Sequence, residues 1–141
     1  MQGLRPLVEY AVFGILLLLS VAVVAIALER QRFFSRIDAR GYTSRARLES
    51  DLTRRLNVIG TVASNAPYLG LLGTVLGIML TFQTLGATGE MDVKSIMTGL
   101  ALALKATAAG IVVAIPCVAL NNALRRRVRE RLTDFDEAHG G

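Results

Sequence analysis

The chain has 141 residues, 52% of them hydrophobic and 19% charged, with a formal net charge of +5. That apolar excess lies above the range of a soluble domain and points to a membrane. Three apolar runs leave no room for a separate soluble domain of ordinary size, and the positive charge lies beside those runs, where it orients a chain rather than binding nucleic acid.

Residues 1–7 form a short leader with Arg5 and Pro6. Residues 8–28 are the first apolar run. It is too long for a signal-peptide core, and no small-residue cleavage site precedes a polar domain, so a retained anchor is expected. It is richer in Leu, Ile and Val than the later runs, which predicts an outer, lipid-facing helix. Glu9 is its one charge, expected at headgroup level rather than as a buried proton carrier.

Residues 30–62 are strongly basic. Arg30, Arg32, Arg36, Arg40, Arg45, Arg47, Arg54 and Arg55 face only Asp38, Glu49 and Asp51 there. The first helix meets no breaker until Gly41, so it is predicted to continue past Phe34. Thr43 or Ser44 caps a second, short helix. Leu48, Leu52, Leu56 and Ile59 then recur at helical spacing and lead into the second span.

The second and third runs carry the chain's character. One reads APYLGLLGTVLGIMLTFQTL and the other IMTGLALALKATAAGIVVAIPCVAL. About 20 apolar residues at ~1.5 Å rise cross the ~30 Å hydrocarbon core, and both runs are long enough. Their glycines, alanines and threonines suit helices that touch at close range. Residues 3 and 4 apart share a helix face. Ala66, Gly70, Gly73, Thr74, Gly77, Thr81 and Thr84 therefore make one stripe. Gly99, Ala103, Ala106, Thr107, Gly110, Ala114 and Cys117 make another. The two stripes either face each other or face a shared axis. Thr74 and Thr107 lie near mid-span. A single membrane threonine usually bonds back to a carbonyl one turn earlier. Two at one depth are also the makings of a polar ring.

Lys105 is the most costly residue, at roughly 2.5–3.5 kcal/mol for a cation near mid-helix. It falls opposite Thr107 on the wheel. It reads as a snorkelling or interface lysine, or as a charge on an ion path. Pro67 and Pro116 are candidate hinges, or the points where spans tilt into their extensions. Between the spans, residues 86–94 hold Glu90, Asp92 and Lys94. After them come Arg125, Arg126, Arg127, Arg129 and Arg131, on a helix with Leu124, Val128 and Leu132 four apart. Basic segments stay on the cytoplasmic side. The charge rule thus places the N-terminus outside and the C-terminus inside, with three crossings. Cys117 reads as a packing residue, and His139 receives no role. No catalytic constellation, metal-ligand cluster or cofactor motif is visible.

At these residues the sequence resembles the ExbB/TolQ/MotA proton-channel family, most closely its ExbB branch. LNVIGTVASNAPYLGLLGTVLGIMLTFQTLG covers residues 56–86, and SIMTGLALALKATAAGIVVAIPCVALNN covers 95–122. The first span and basic loop match in character only, and the loop is short, as in a compact ExbB-type variant. The resemblance implies a homopentamer of an all-α membrane protein in the bacterial inner membrane. It implies that the pentamer encloses the single-span helices of an ExbD-like partner, whose Asp carries the proton. The path-lining threonines of the family fall on Thr74 and Thr107. Proton flow would then drive work on a TonB-like protein, to energise outer-membrane uptake of iron chelates or similar cargo. Longer members carry a Glu where Leu102 stands here and an apolar residue in place of Lys105. Any role of that Glu does not transfer.

The expected organisation is 1–29 for a periplasmic N-terminus and first span, and 30–62 for a cytoplasmic helical segment. The second span is 63–85, the periplasmic loop 86–94, the third span 95–120 and the cytoplasmic C-terminal helix 121–141. The expected product is a non-enzymatic energiser subunit. A TolQ-like or flagellar-type stator, a small proton-coupled exporter using Glu9, and a membrane scaffold are the rivals.

Overall fold

A computed structural model describes residues 4–89 and 92–140, with side chains from residue 6 onward. The side chain of Arg5 and all of Glu90, the latter predicted in the acidic loop, lie outside the described residues. The order is α1 (Leu4–Arg36), one 3-10 turn (Ala39–Gly41), α2 (Arg45–Leu52), α3 (Leu56–Thr88) and α4 (Val93–Ala138). Among the described residues every regular element is helical, and α1, α3 and α4 are long and apolar enough to cross a membrane. At ~1.5 Å per residue, the 33 residues of α1 extend about 50 Å and the 46 of α4 about 69 Å. Each therefore outruns a ~30 Å hydrocarbon core and carries on beyond it as a charged helix.

The basic segment is more varied than one helix. α1 stops at Arg36, before the first glycine breaker. The Asp38 carboxylate accepts the Arg40 N–H at 3.1 Å and holds the 3-10 turn, so a short polar side chain ends the helix by competing for its backbone. Ser44 then caps α2, its hydroxyl accepting the Arg47 N–H at 3.4 Å, as its position before the first leucine predicts. Arg55 takes a left-handed conformation, φ 67°, between α2 and α3. That conformation costs roughly 1–2 kcal/mol for a residue with a Cβ. It keeps Leu52 and Leu56, on either side of the turn, both fully buried. At the far end of α3, Gly89 adopts φ 75° and its N–H bonds to Leu85 O at 2.9 Å, the ordinary glycine stop.

Most of the largest fully buried side chains gather at the charged end of the helices, in an apolar cluster that continues along the spans to Leu16 and Val12. Phe34, Leu48, Leu52, Leu56, Ile59, Leu124, Val128, Leu132 and Phe135 join one apolar cluster. The predicted four-residue spacings of α2–α3 and of the α4 extension both point into it. Two arginines tie the elements together. Arg30 is only 2% exposed. Its guanidinium donates to Asp51 O at 2.5 Å and Leu52 O at 3.4 Å, closing the end of α2. It also grips Glu29 through two bonds of 2.6 Å. Arg131 of α4 donates to Phe34 O, near the end of α1, at 2.9 Å. The substitution Arg30→Met should cost about 3 kcal/mol, because it strands two helix-end carbonyls, that of Leu52 in a buried setting. A fall in thermal midpoint in detergent checks this.

Tyr42 donates its hydroxyl proton to the Asp51 carboxylate at 2.7 Å. That bond, with partial burial, raises the phenol above its usual value near 10. A raised folded-state value means the contribution is complete below the unfolded value and disappears as pH rises through the folded one. Wild type should therefore lose an advantage over Asp51→Asn only above about pH 10. Absorbance titration should show Tyr42 ionising at lower pH in Asp51→Asn.

Candidate functional site: the seam of α3 and α4

The two small-residue stripes face each other within one chain. The sequence left that choice open. A Cβ built on Gly70 would lie 2.5 Å from Ala106 O, and one on Gly110 would lie 2.6 Å from Ala66 O. Two backbones thus pass in direct contact, which only residues without side chains permit. Gly77 approaches Ala103 similarly, its built Cβ 2.9 Å from the Ala103 methyl. Gly73 has two neighbours, Ala106 of α4 and Val12 of α1. Gly70, Gly73, Gly77, Gly99, Ala103 and Gly110, the predicted packing residues, are all buried.

The threonines meet in that seam. Thr74 is buried, and its hydroxyl donates across the interface to Ala103 O at 3.0 Å. It also makes a short contact with the Thr107 hydroxyl. Thr81 behaves in the ordinary way, bonding back to Gly77 O at 2.8 Å. Thr74 departs from that habit because Gly77 and Ala103 let the helices come close enough for an interhelical bond. Thr107 is only half-buried. A hydroxyl pair with one open member can pass a proton between donors and acceptors, since each oxygen both gives and accepts.

The other predicted residues scatter. Lys105 is exposed on the far side of α4. Pro67 and Pro116 lie inside continuous helices. Cys117 is buried among apolar neighbours. His139 stacks on Phe135 with ring centroids 4.1 Å apart.

Glu9, expected as a headgroup-level charge, sits against the neighbouring helices of its own chain. It is half-buried and lines a small cavity with Val8, Val12, Gly73, Gly77, Leu102, Ala103 and Ala106. The physical reason is register: Val12 seats on Gly73, near the middle of α3, so Glu9, about one turn earlier in α1, comes abreast of Gly77, about one turn later in α3. A signal existed in the sequence. Glu9, Leu16, Val23 and Arg30 recur every seven residues, a spacing that keeps one helix face toward a partner. The last three are all buried.

Comparison with known proteins bears on this arrangement. A family described as the MotA/TolQ/ExbB proton channel family matches residues 22–137, which include the whole α3–α4 seam. The chain belongs to that family. Among ExbB-type relatives, the biopolymer transport protein ExbB of Aquifex aeolicus is 50% identical over 140 residues, covering 99% of this chain and 95% of the relative. A putative biopolymer transport protein ExbB-like 2 of Helicobacter pylori is 49% identical over 136 residues, covering 96% and 91%. The Tol-Pal system protein TolQ of Haemophilus influenzae is 42% identical over 84 residues, covering 60% of this chain and 37% of TolQ. The chain is thus matched along nearly the full length of the first two. The chain is a multi-pass, ExbB-type membrane protein of all-helical fold.

Proposed function

We propose that this chain is the channel subunit of a proton-driven energiser, and that Thr74 and Thr107 line the proton path. The observation that carries the reading is the hydroxyl pair itself. It sits near the middle of two apolar spans, satisfied on the Thr74 side and open on the Thr107 side. A proton crossing a ~30 Å hydrocarbon layer needs such polar stations. The pentamer encloses the single-span helix of an ExbD-like partner, and an acid on that helix meets the open hydroxyls. The N-terminus is periplasmic and the C-terminus cytoplasmic, because the basic segments flank α1, α3 and α4 on one side. Proton flow drives work on a TonB-like protein and so powers outer-membrane uptake. Pro67 and Pro116 serve as hinges at the inner ends of their spans. The family's proton-channel description and the ExbB-type relatives of matching length support this reading.

The shorter match to TolQ supports a second reading, a subunit serving envelope constriction. Deleting the gene separates the two: lost uptake favours the first, and defective constriction the second.

The direct test is to purify the complex with its single-span partner, count its chains by native mass spectrometry and measure proton flux in vesicles. Five copies around the partner helices with partner-dependent flux are expected. A monomer, or a complex that passes no protons, would defeat the proposal.

A further inference from the structure

The outward face of α1 carries a row of side chains that neither the α3–α4 seam nor the proposed proton path uses. Leu18, Val21, Ala25, Leu28, Arg32 and Arg36 follow one another in steps of three or four, which keeps them on one line along a helix. All six are exposed. The line lies opposite Leu16, Val23 and Arg30, which α1 buries. From Leu18 to Leu28 it is apolar and about 15 Å long, the depth of one leaflet of a ~30 Å hydrocarbon core. It ends on two guanidiniums one turn apart.

Those guanidiniums border an open groove of about 490 Å³, shared with Ala25, Leu28, Glu29 and Phe33. Neither the Arg32 nor the Arg36 side chain has a hydrogen bond or ion pair to a described residue. Glu29 is the one acid of the groove, and it is already taken. Two bonds of 2.6 Å bind its carboxylate to the Arg30 guanidinium. The Arg30 bond holds that carboxyl below its usual range, and the charges of Arg55 and Arg54 add to the effect. The Arg30 guanidinium also lies 4.5 Å from the centre of the Phe33 ring, which sets an aromatic wall beside the free arginines.

Two spare cations, a neutralised acid and an apolar track one leaflet long fit a phospholipid with net negative charge. Arginine grips a phosphodiester through paired N–H donors. Basic clusters just beyond a span collect anionic lipid. A zwitterionic lipid would bring an ammonium group to a groove that offers it no free carboxylate.

We propose that this face of α1 binds one anionic phospholipid from the leaflet on the basic side. Arg32 and Arg36 hold its phosphate, and Leu18, Val21, Ala25 and Leu28 carry an acyl chain. The site stands apart from Thr74 and Thr107, so it holds or fails independently of the proton path.

The test uses the complete chain in mild detergent, titrated with phosphatidylglycerol, phosphatidylcholine or glycerol phosphate, the last a headgroup without tails. Native mass spectrometry counts what stays bound. One phosphatidylglycerol per chain, at saturation, is expected, with the other two binding at least about tenfold more weakly. Arg32→Gln with Arg36→Gln should weaken phosphatidylglycerol by at least about tenfold. Arg40→Gln with Arg129→Gln removes the same charge from exposed places outside the groove and should change little. Equal weakening by the two pairs would mean diffuse attraction and would sink the site. Equal binding of phosphatidylcholine would do the same, and equal binding of glycerol phosphate would give the arginines to a free phosphate instead. A phosphatidylglycerol with a photoreactive acyl chain then locates the tail. Label between residues 18 and 28 is expected, and label confined to α3 or α4 would overturn the proposal.

Discussion

Gly110→Val should stop α3 and α4 from closing and should lower stability by at least about 3 kcal/mol. Overpacking usually costs ~1–3 kcal/mol, because neighbouring side chains shift to make room. Here no side chain is available to shift. The first atom a Cβ meets is the backbone oxygen of Ala66, at 2.6 Å, and the next are Gly70 Cα and N at 3.0 and 3.2 Å. The helices must separate, and separation breaks the Thr74 bond to Ala103 O and the Thr74–Thr107 contact as well. Gly14→Ala is the control. Nothing lies within 4 Å of a Cβ there, and the helix gains from the better former, by up to about 1 kcal/mol. Thermal unfolding of both variants in one detergent gives the answer. Equal midpoints would mean that the seam does not close as described.

Thr107→Val should abolish proton-driven work while leaving the fold in place. Valine matches threonine in shape, so the helix contacts survive. Thr74 keeps its bond to Ala103 O, so no buried group is stranded. The loss in stability should stay within about 1 kcal/mol, the ordinary net worth of one hydrogen bond. What goes is the open hydroxyl that the proposed proton path requires. Thr107→Ser restores an oxygen at that place and should restore most of the flux. Flux through Thr107→Val equal to wild type would remove Thr107 from the path.

Much of this architecture was legible before any coordinates. Length and apolarity mark three spans, and α1, α3 and α4 cover them. Leu48, Leu52, Leu56 and Ile59 announce their buried face by spacing alone, as do Leu124, Val128 and Leu132. A cap at Thr43 or Ser44 was legible ahead of α2, and Ser44 takes it. The Gly and Ala stripes are visible because helical periodicity is a local property, carried by each segment without its neighbours. Family membership is legible for the same reason, since the strings from residues 56–86 and 95–122 are contiguous.

Other features depended on how distant segments meet. Periodicity places Thr74 on a stripe but does not name its partner. Its bond to Ala103 O exists because two glycine faces bring α4 close. Arg30 reads as one of many basic residues until α2 presents the carbonyls of Asp51 and Leu52 to it. Glu9 reads as an interfacial charge until α1 is set against the middle of α3. By itself, then, the sequence determined the three spans, their narrow faces and the family. Only the tertiary structure decided that those faces close on each other within one chain, and that the acid of α1 turns inward. A span or a stripe is written in neighbours along the chain, whereas a contact depends on the relative height and rotation of helices, which packing alone sets.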